Sequence, residues 1–354
     1  MLNKDLPSLN KTSEFKYLFF VNLSYSFNVL RPIEHEIKKR GGSVAWFIPT
    51  GSEAEGFLQP DDYQLLNIKE VKEYNANATL APGNVIPHFF PGIKVQVFHG
   101  FDSGKKNKFN IRGFFDLYCT QGPNITQGFN DINDGTCDVV ETGWSKLDPL
   151  FTEHKDIALY QSDKPTILYA PTFSPKLTST YKLYPYIKAL LKTQNWQWIV
   201  KLHPKATSEE IEMYKSLACE NLTFITTGDV IPILQATDII LSDTSSIIIE
   251  FALQEKVAVA FNNRKPKDWM INFSNEADLE STLISAFQKD EHTLEKVKQY
   301  CDSVHPYRDG KSSVRVLGAI NNLICSGTSH LKRKPLNLLR KFKIRKSLNY
   351  YWWS

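Results

Sequence analysis

Along the chain, short continuous apolar runs alternate with segments whose apolar residues recur every three to four positions. YLFFVN (17–22) reads as a first strand, and NVLRPIEHEIKKRG as a helix stopped by Gly41 and Gly42. SVAWFI follows as a second strand, then NVIPHFF, VQVFHG and LYCT, a helix after Pro123, and the strand DVVETG. Runs this short and this uniformly apolar belong to sheets covered on both faces.

The second half repeats the alternation. The strand TILYAPT leads to a helix over 183–192, and WQWIVKLHP to a helix over 208–217. LTFITT, the helix DVIPILQAT, DIILSD, the helix SSIIIEFALQ and the strand KVAVAFN complete the series. Strand–helix alternation predicts an α/β fold of doubly wound parallel sheets with right-handed crossovers. The polar, proline-terminated segment FTEHKDIALYQSDKP separates the two halves. Expected boundaries are therefore a Rossmann-like domain at 1–150, a linker at 151–164, a second Rossmann-like domain at 165–330, and a tail at 331–354. Facing domains of this kind bind ligands in a cleft beyond the carboxyl ends of their strands.

Composition narrows the class. A chain of 354 residues, 42% hydrophobic and 23% charged, is globular and long enough for two domains. It shows no signal-peptide core and no apolar run long enough to span a membrane. Its five cysteines, Cys119, Cys137, Cys219, Cys301 and Cys325, never pair as CxxC, which argues against a disulfide framework or a zinc site and for the cytoplasm. The net charge of +4 is unevenly spread: from Gly310 onward there are ten Lys and Arg and no acid, whereas the preceding 309 residues carry 32 basic against 38 acidic groups. Within the tail, HLKRKPLNLLRKFKIRKSLNYYWWS, apolar and aromatic residues interleave with the cations. Such a segment suits an anionic membrane surface, peripheral on the inner face, and equally a helix docked on the protein itself. With an acidic body, nucleic acid is not an expected partner.

Candidate chemistry gathers at the predicted strand ends. VFHG offers His99; KLHPK offers Lys201, His203 and Lys205; ILYAPT ends at Thr172; and VVETGWSKLD supplies Thr142, Gly143 and Asp148. In IILSDTSSIIIE an apolar strand ends at Asp243, and Thr244, Ser245 and Ser246 open an apolar helix. Small hydroxyls at a helix start are ordinary caps, but they also surround the free N–H groups that bind phosphate. The basic groups of KLHPK on another strand end favour the phosphate reading. In HPYRDGKSSVRV, Asp309 and Gly310 form a turn, Ser312 or Ser313 starts a helix, and Arg308, Lys311 and Arg315 add positive charge; a capped surface helix explains the same residues.

Taken in order, seven of these pieces resemble the CDP-glycerol glycerophosphotransferase family, the teichoic-acid polymerases and primases of GT-B fold. They are VFHG, CTQGPNITQGF, ETGWSKLDPLF, ILYAPTF, KLHP, DIILSDTSSIIIEFALQEKVAVAF and DGKSSVRV, and they extend from about Pro87 to Leu323. The resemblance implies that His99 is the base that deprotonates the acceptor hydroxyl and that His203 contacts the donor's phosphates. By the same carry-over Asp243, Ser245 and Ser246 form the donor-binding turn, with Asp309 and Gly310 near the cytidine diphosphate. Lys201, Thr172, Thr244 and Ser312 are expected beside the donor phosphates, and Gly100 and Gly143 as structural positions, Gly100 because the backbone is closely approached there. Three departures stand out: HGFDSGKK replaces the family's HGTPLK, Trp144 and Ser145 occupy its Pro-Arg positions, and Thr244 replaces its Tyr.

The resemblance implies transfer of a polyol phosphate from CDP-glycerol, or another nucleotide-activated donor, to a lipid-linked or polysaccharide acceptor. No cofactor is required for this, and no His/Asp cluster with metal-ligand spacing appears. Free imidazole titrates near pH 6.5, which suits a base at neutral pH. The same fold also accommodates a glycosyltransferase using a nucleotide sugar, a UDP-N-acetylhexosamine 2-epimerase, or a non-catalytic nucleotide-sugar-binding protein.

Overall fold

A computed structural model describes residues 7–101, 109–152, 162–226 and 230–351. The chain forms two compact units, one made of Met1–Phe151 with Ser303–Ser354 and the other of Thr152–Asp302.

The first unit is built on seven parallel strands: β1 (Lys16–Phe20), β2 (Ser43–Phe47), β3 (Gln64–Leu65), β4 (Ala78–Ala81), β5 (Ile93–Gln96), β6 (Leu117–Thr120) and β7 (Asp138–Glu141). Their order is β3-β2-β1-β4-β5-β6-β7, reversing at β1. Helices α1 (Ser26–Lys39), α2 (Ile68–Tyr74), α3 (Pro123–Asn130) and α4 (Asp148–Thr152) accompany them. β1 and β4 are the sheet's centre, with Leu18 opposite both Ala45 and Thr79.

The second unit carries six parallel strands: β8 (Thr166–Tyr169), β9 (Gln197–Val200), β10 (Leu222–Phe224), β11 (Ile239–Ser242), β12 (Ala258–Phe261) and β13 (Met270–Phe273), in the order β10-β9-β8-β11-β12-β13. Between and after them run α5 (Thr180–Thr193), α6 (Ser208–Lys215), α7 (Ile231–Ala236), α8 (Ile247–Ala252), α9 (Leu279–Gln288) and α10 (Glu291–Val304). Every residue of β8, β11 and β12 is buried, as the unbroken apolar runs require of strands covered on both faces. At the start of α6, the Thr207 hydroxyl accepts the Glu210 N–H while the Glu210 carboxylate accepts the Thr207 N–H, a reciprocal cap that fixes where the helix begins.

After α10 the chain returns to the first unit as α11 (Ser312–Ser326) and α12 (Leu338–Ser347). This corrects the expected boundary at 330. Asn321 on α11 is fully buried, accepts the Tyr17 hydroxyl of β1 at 2.5 Å, and donates to the Ser8 carbonyl and Thr12 hydroxyl. Its amide is satisfied only by residues of the first unit, so α11 belongs there.

A second correction concerns NVIPHFF, which forms no strand. Pro87 deprives this stretch of a ladder donor, Pro82 and Pro91 flank it, and the strand before β5 is the shorter ATLA, β4. The expected linker falls mostly on residues 153–161, outside the described residues. So do Asp102–Lys106 of the loop after His99, and Trp352 and Trp353 of the tail.

The tail docks on the first unit. Lys334 pairs with Asp116, the Asn337 amide donates to the Arg112 carbonyl at 2.6 Å, and Ile344 joins the core beneath Phe90. Arg345 lies against both the Phe89 and Tyr350 rings, whose centroids are 4.6 Å apart. The other side of the segment leaves Leu336, Leu338, Leu339 and Phe342 exposed, at 63, 69, 81 and 57%.

Candidate active site

At the carboxyl edge of the first sheet, His99 follows β5 and is held from several sides. Its Nδ1 lies 3.1 Å from the Pro82 carbonyl oxygen at the end of β4. A carbonyl only accepts, so Nδ1 carries a proton, and in the neutral ring Nε2 keeps its lone pair. The ring packs against Tyr25, beyond β1, with centroids 5.2 Å apart, and Tyr25 itself is 41% exposed. On one side of the histidine, the Phe98 carbonyl accepts the Trp144 indole N–H at 3.2 Å; on the other, the Gly100 carbonyl accepts the Gln121 amide at 2.6 Å. Both donors are buried.

A Cβ at Gly100 would meet no protein atom within 4 Å, so the space beside it is open. What matters at Gly100 is its carbonyl. Gly143, in contrast, takes φ +83° and is packed against Ser312 and Tyr307, leaving no room for a side chain.

The HPYRDGKSSVRV segment belongs to the first unit. Gly310 makes the turn at φ +62°, and α11 begins at Ser312 as the pattern predicts. The helix N-terminus is already occupied: the Asp148 carboxylate accepts the Ser312 N–H at 2.8 Å and the Ser313 N–H at 2.7 Å. Ser312 is 1% exposed, and Asp309 pairs with Arg315 while accepting the Lys311 N–H. Asp148 is itself buried, which raises its carboxyl above the ordinary range against the pull of those N–H groups.

In the second unit, residues beyond the adjacent strands β9, β8 and β11 come together. Asp243 is fully buried, and its oxygens accept the N–H groups of Thr172 (2.9 Å), Ser179 (3.0 Å) and Thr244 (2.6 Å) and the Ser179 hydroxyl (3.0 Å). Burial nevertheless raises its carboxyl. With both oxygens engaged, Asp243 organises the loops around it. Asn263 beyond β12 joins them by donating to the Asp243 carbonyl at 2.6 Å. Ser245 is half-buried and Ser246 exposed, and no side chain caps α8.

His203 is half-buried between Phe173, with ring centroids 4.3 Å apart, and the lysines of its own segment. Its Nδ1 accepts the Lys205 N–H at 3.1 Å, which leaves the proton of the neutral ring on Nε2. Burial lowers the His203 imidazole, and Lys205 and Lys201 lower it further; burial also lowers Lys201. A neutral donor flanked by two ammonium groups suits a phosphate oxygen.

Tyr25, Gln121, Trp144, His305 and Phe173 are the neighbours that sequence reading missed as site residues. Gln121 follows β6 directly and Phe173 follows the apolar run TILYAPT, which was the available signal. His305 is wholly buried and accepts the Trp144 backbone N–H on Nε2 at 3.0 Å. A cavity of about 500 Å³ lies near Asn77, Gly92 and Asp116, at the amino edge of the first sheet, and so apart from these groups. Among the described residues, no group of three or more His, Cys, Asp or Glu could hold a metal ion, and no helix is long and apolar enough to cross a membrane.

Two doubly wound parallel-sheet units, each with a histidine at its carboxyl edge, place the protein in the GT-B class. The wall teichoic acid polymerase TagF shares this fold, with TM-score 0.63 at 12% identity over 90% of this chain and 91% of that one. So does a putative UDP-N-acetylglucosamine 2-epimerase from Listeria monocytogenes, with TM-score 0.65 at 12% identity over 88% and 97%. At the level of sequence, residues 113–322 match the family CDP-Glycerol:Poly(glycerophosphate) glycerophosphotransferase, and the chain belongs to that family of transferases. It is 28% identical over 203 residues to the teichoic acid glycerol-phosphate primase of Bacillus subtilis (strain 168), covering 52% of each. Against the teichoic acid ribitol-phosphate polymerase TarK of Staphylococcus aureus (strain NCTC 8325 / PS 47) it is 28% identical over 214 residues, 51% of this chain and 40% of that protein. The chain thus spans about half the length of the curated relatives it matches.

Proposed function

We propose that the protein transfers glycerol phosphate, or another polyol phosphate, from a CDP-linked donor to a hydroxyl of a lipid-linked or polysaccharide acceptor, with His99 as general base. The observation that carries this reading is the 3.1 Å contact of His99 Nδ1 with the Pro82 carbonyl oxygen, which in the neutral ring places the proton on Nδ1 and leaves Nε2 as the basic atom. The acceptor oxygen attacks the β-phosphorus of the donor as its proton passes to Nε2. The bond from that phosphorus to the bridging oxygen breaks, and CMP leaves. His203 and Lys201 meet the negative charge on the transferred and leaving phosphates, with Ser245, Ser246 and Thr244 as hydroxyl donors. Asp243 holds Thr172 and Thr244 in place for this contact and does not itself touch phosphate.

The tail supports action at the inner membrane surface, where lipid-linked acceptors lie. One side of it is fixed to the first unit, and the other presents Leu336, Leu338, Leu339 and Phe342 beside Arg340, Lys341 and Lys343. Apolar groups of this kind insert between lipids while the cations meet anionic headgroups.

The test is to incubate the full chain with CDP-glycerol, CDP-ribitol or UDP-sugars, with and without a lipid-linked acceptor, and to identify the nucleotide released. Acceptor-dependent CMP supports the proposal, and UDP points to a glycosyltransferase or epimerase. His99→Ala is expected to abolish transfer while the chain still binds donor; wild-type turnover in that variant removes His99 from the chemistry.

A further inference from the structure

The residue before His99 is conformationally unusual. Phe98 takes φ +46°, a left-handed value that costs a non-glycine residue about 1–3 kcal/mol unless its surroundings enforce it. Its ring is 8% exposed and packs against Tyr118 and Phe129, so the side chain is anchored in the core. The carbonyl of the same residue is gripped by the Trp144 indole N–H at 3.2 Å. Trp144 is in turn fixed by its backbone N–H, which donates to His305 Nε2 at 3.0 Å, and by edge-on packing against Phe101. Thus two buried side chains, 3% and 0% exposed, define the turn that aims the imidazole.

We propose that Trp144 and His305 are positioning residues for His99: the indole holds the Phe98 carbonyl in its left-handed turn, and the His305 ring holds Trp144. The proposal rests on the reading of His99 as the base.

Trp144→Phe keeps a ring in place and deletes only the indole donor. With CDP-glycerol and a soluble acceptor, kcat should fall about 10- to 100-fold, as expected for a displaced catalytic group, with the donor KM unchanged. In histidine-¹⁵N-labelled protein, the His99 ring signals, assigned by their loss in His99→Gln, should shift from the Nδ1-protonated form toward a tautomer mixture. His305→Leu should reproduce the fall, while His305→Gln, whose side-chain carbonyl can accept the Trp144 N–H, should restore most of it. This pair keeps the question open to test if Trp144→Phe does not fold.

Wild-type kcat in Trp144→Phe, or equal losses in the two His305 variants, overturns the proposal. Failure of the underlying reading looks different: His99→Ala would then retain turnover. Loss in His99→Ala together with full turnover in Trp144→Phe overturns the positioning role alone.

Discussion

The carboxylate of Asp148, at the start of α4, lies 2.7 Å from the backbone nitrogen of Ser313 on α11, 165 positions later in the chain. A segment that reads in sequence as a possible phosphate-binding helix start thus has its anion supplied by the protein. Asp148→Asn retains an acceptor for one N–H without the buried charge, whereas Asp148→Ala leaves both donors empty. The alanine variant should lose about 1–3 kcal/mol of stability in urea unfolding, and the asparagine variant clearly less. Equal losses would mean that the cap contributes little.

Asp243 and Ser246 are adjacent in sequence motif but divide in role. Removing the carboxylate with Asp243→Ala strands several buried donors and should destabilise the protein by about 3 kcal/mol. Ser246→Ala should leave the thermal midpoint unchanged and raise the donor KM by up to about tenfold, the worth of one or two hydrogen bonds. Calorimetry alongside donor titration separates the two.

Burial depresses the imidazoles of His305 and His88 to about 4. Both are neutral when folded above that value, whereas the unfolded chain takes up protons below the ordinary histidine value near 6.5. Stability is therefore fully present above about 6.5 and lost as pH falls toward 4. In His305→Gln, unfolding free energies measured across this window should vary less steeply, by about 3 kcal/mol at most over the whole interval. An unchanged slope would show that His305 takes up a proton in the folded state.

The exposed side of the tail can be tested without disturbing its docked side. Leu339→Asp with Phe342→Asp should reduce partitioning onto vesicles containing anionic lipid by about tenfold or more, with the thermal midpoint unaltered. If binding to those vesicles is unaffected, the tail serves only as a docked helix.

Much of the architecture was legible because strands buried on both faces must be continuously apolar, as in TILY and IILS. The failures share a cause: ATLA is too short and too mild to stand out, while NVIPHFF has a strand's hydrophobicity but a proline's missing donor. At the site, His99 and His203 were legible as titratable groups at strand ends. Asp243 stands out in sequence at the end of an apolar strand, but its isolation from solvent does not, since four donor groups from three residues converge on it. Trp144 and His305 were hidden for a related reason. Each reads as core, and their link to the turn before His99 joins positions 98, 144 and 305, which no local pattern connects.

The return of α11 to the first unit has a consequence for biosynthesis. Tyr17 finds Asn321 only after 304 further positions have been translated, including all of the second unit. At roughly 5–20 residues per second, the hydroxyl of the first strand waits on the order of 15–60 s for its partner. During that interval the nascent first sheet lacks the helix that covers it, so of the two units the one begun earlier is completed later, and the inserted unit is free to fold ahead of its host.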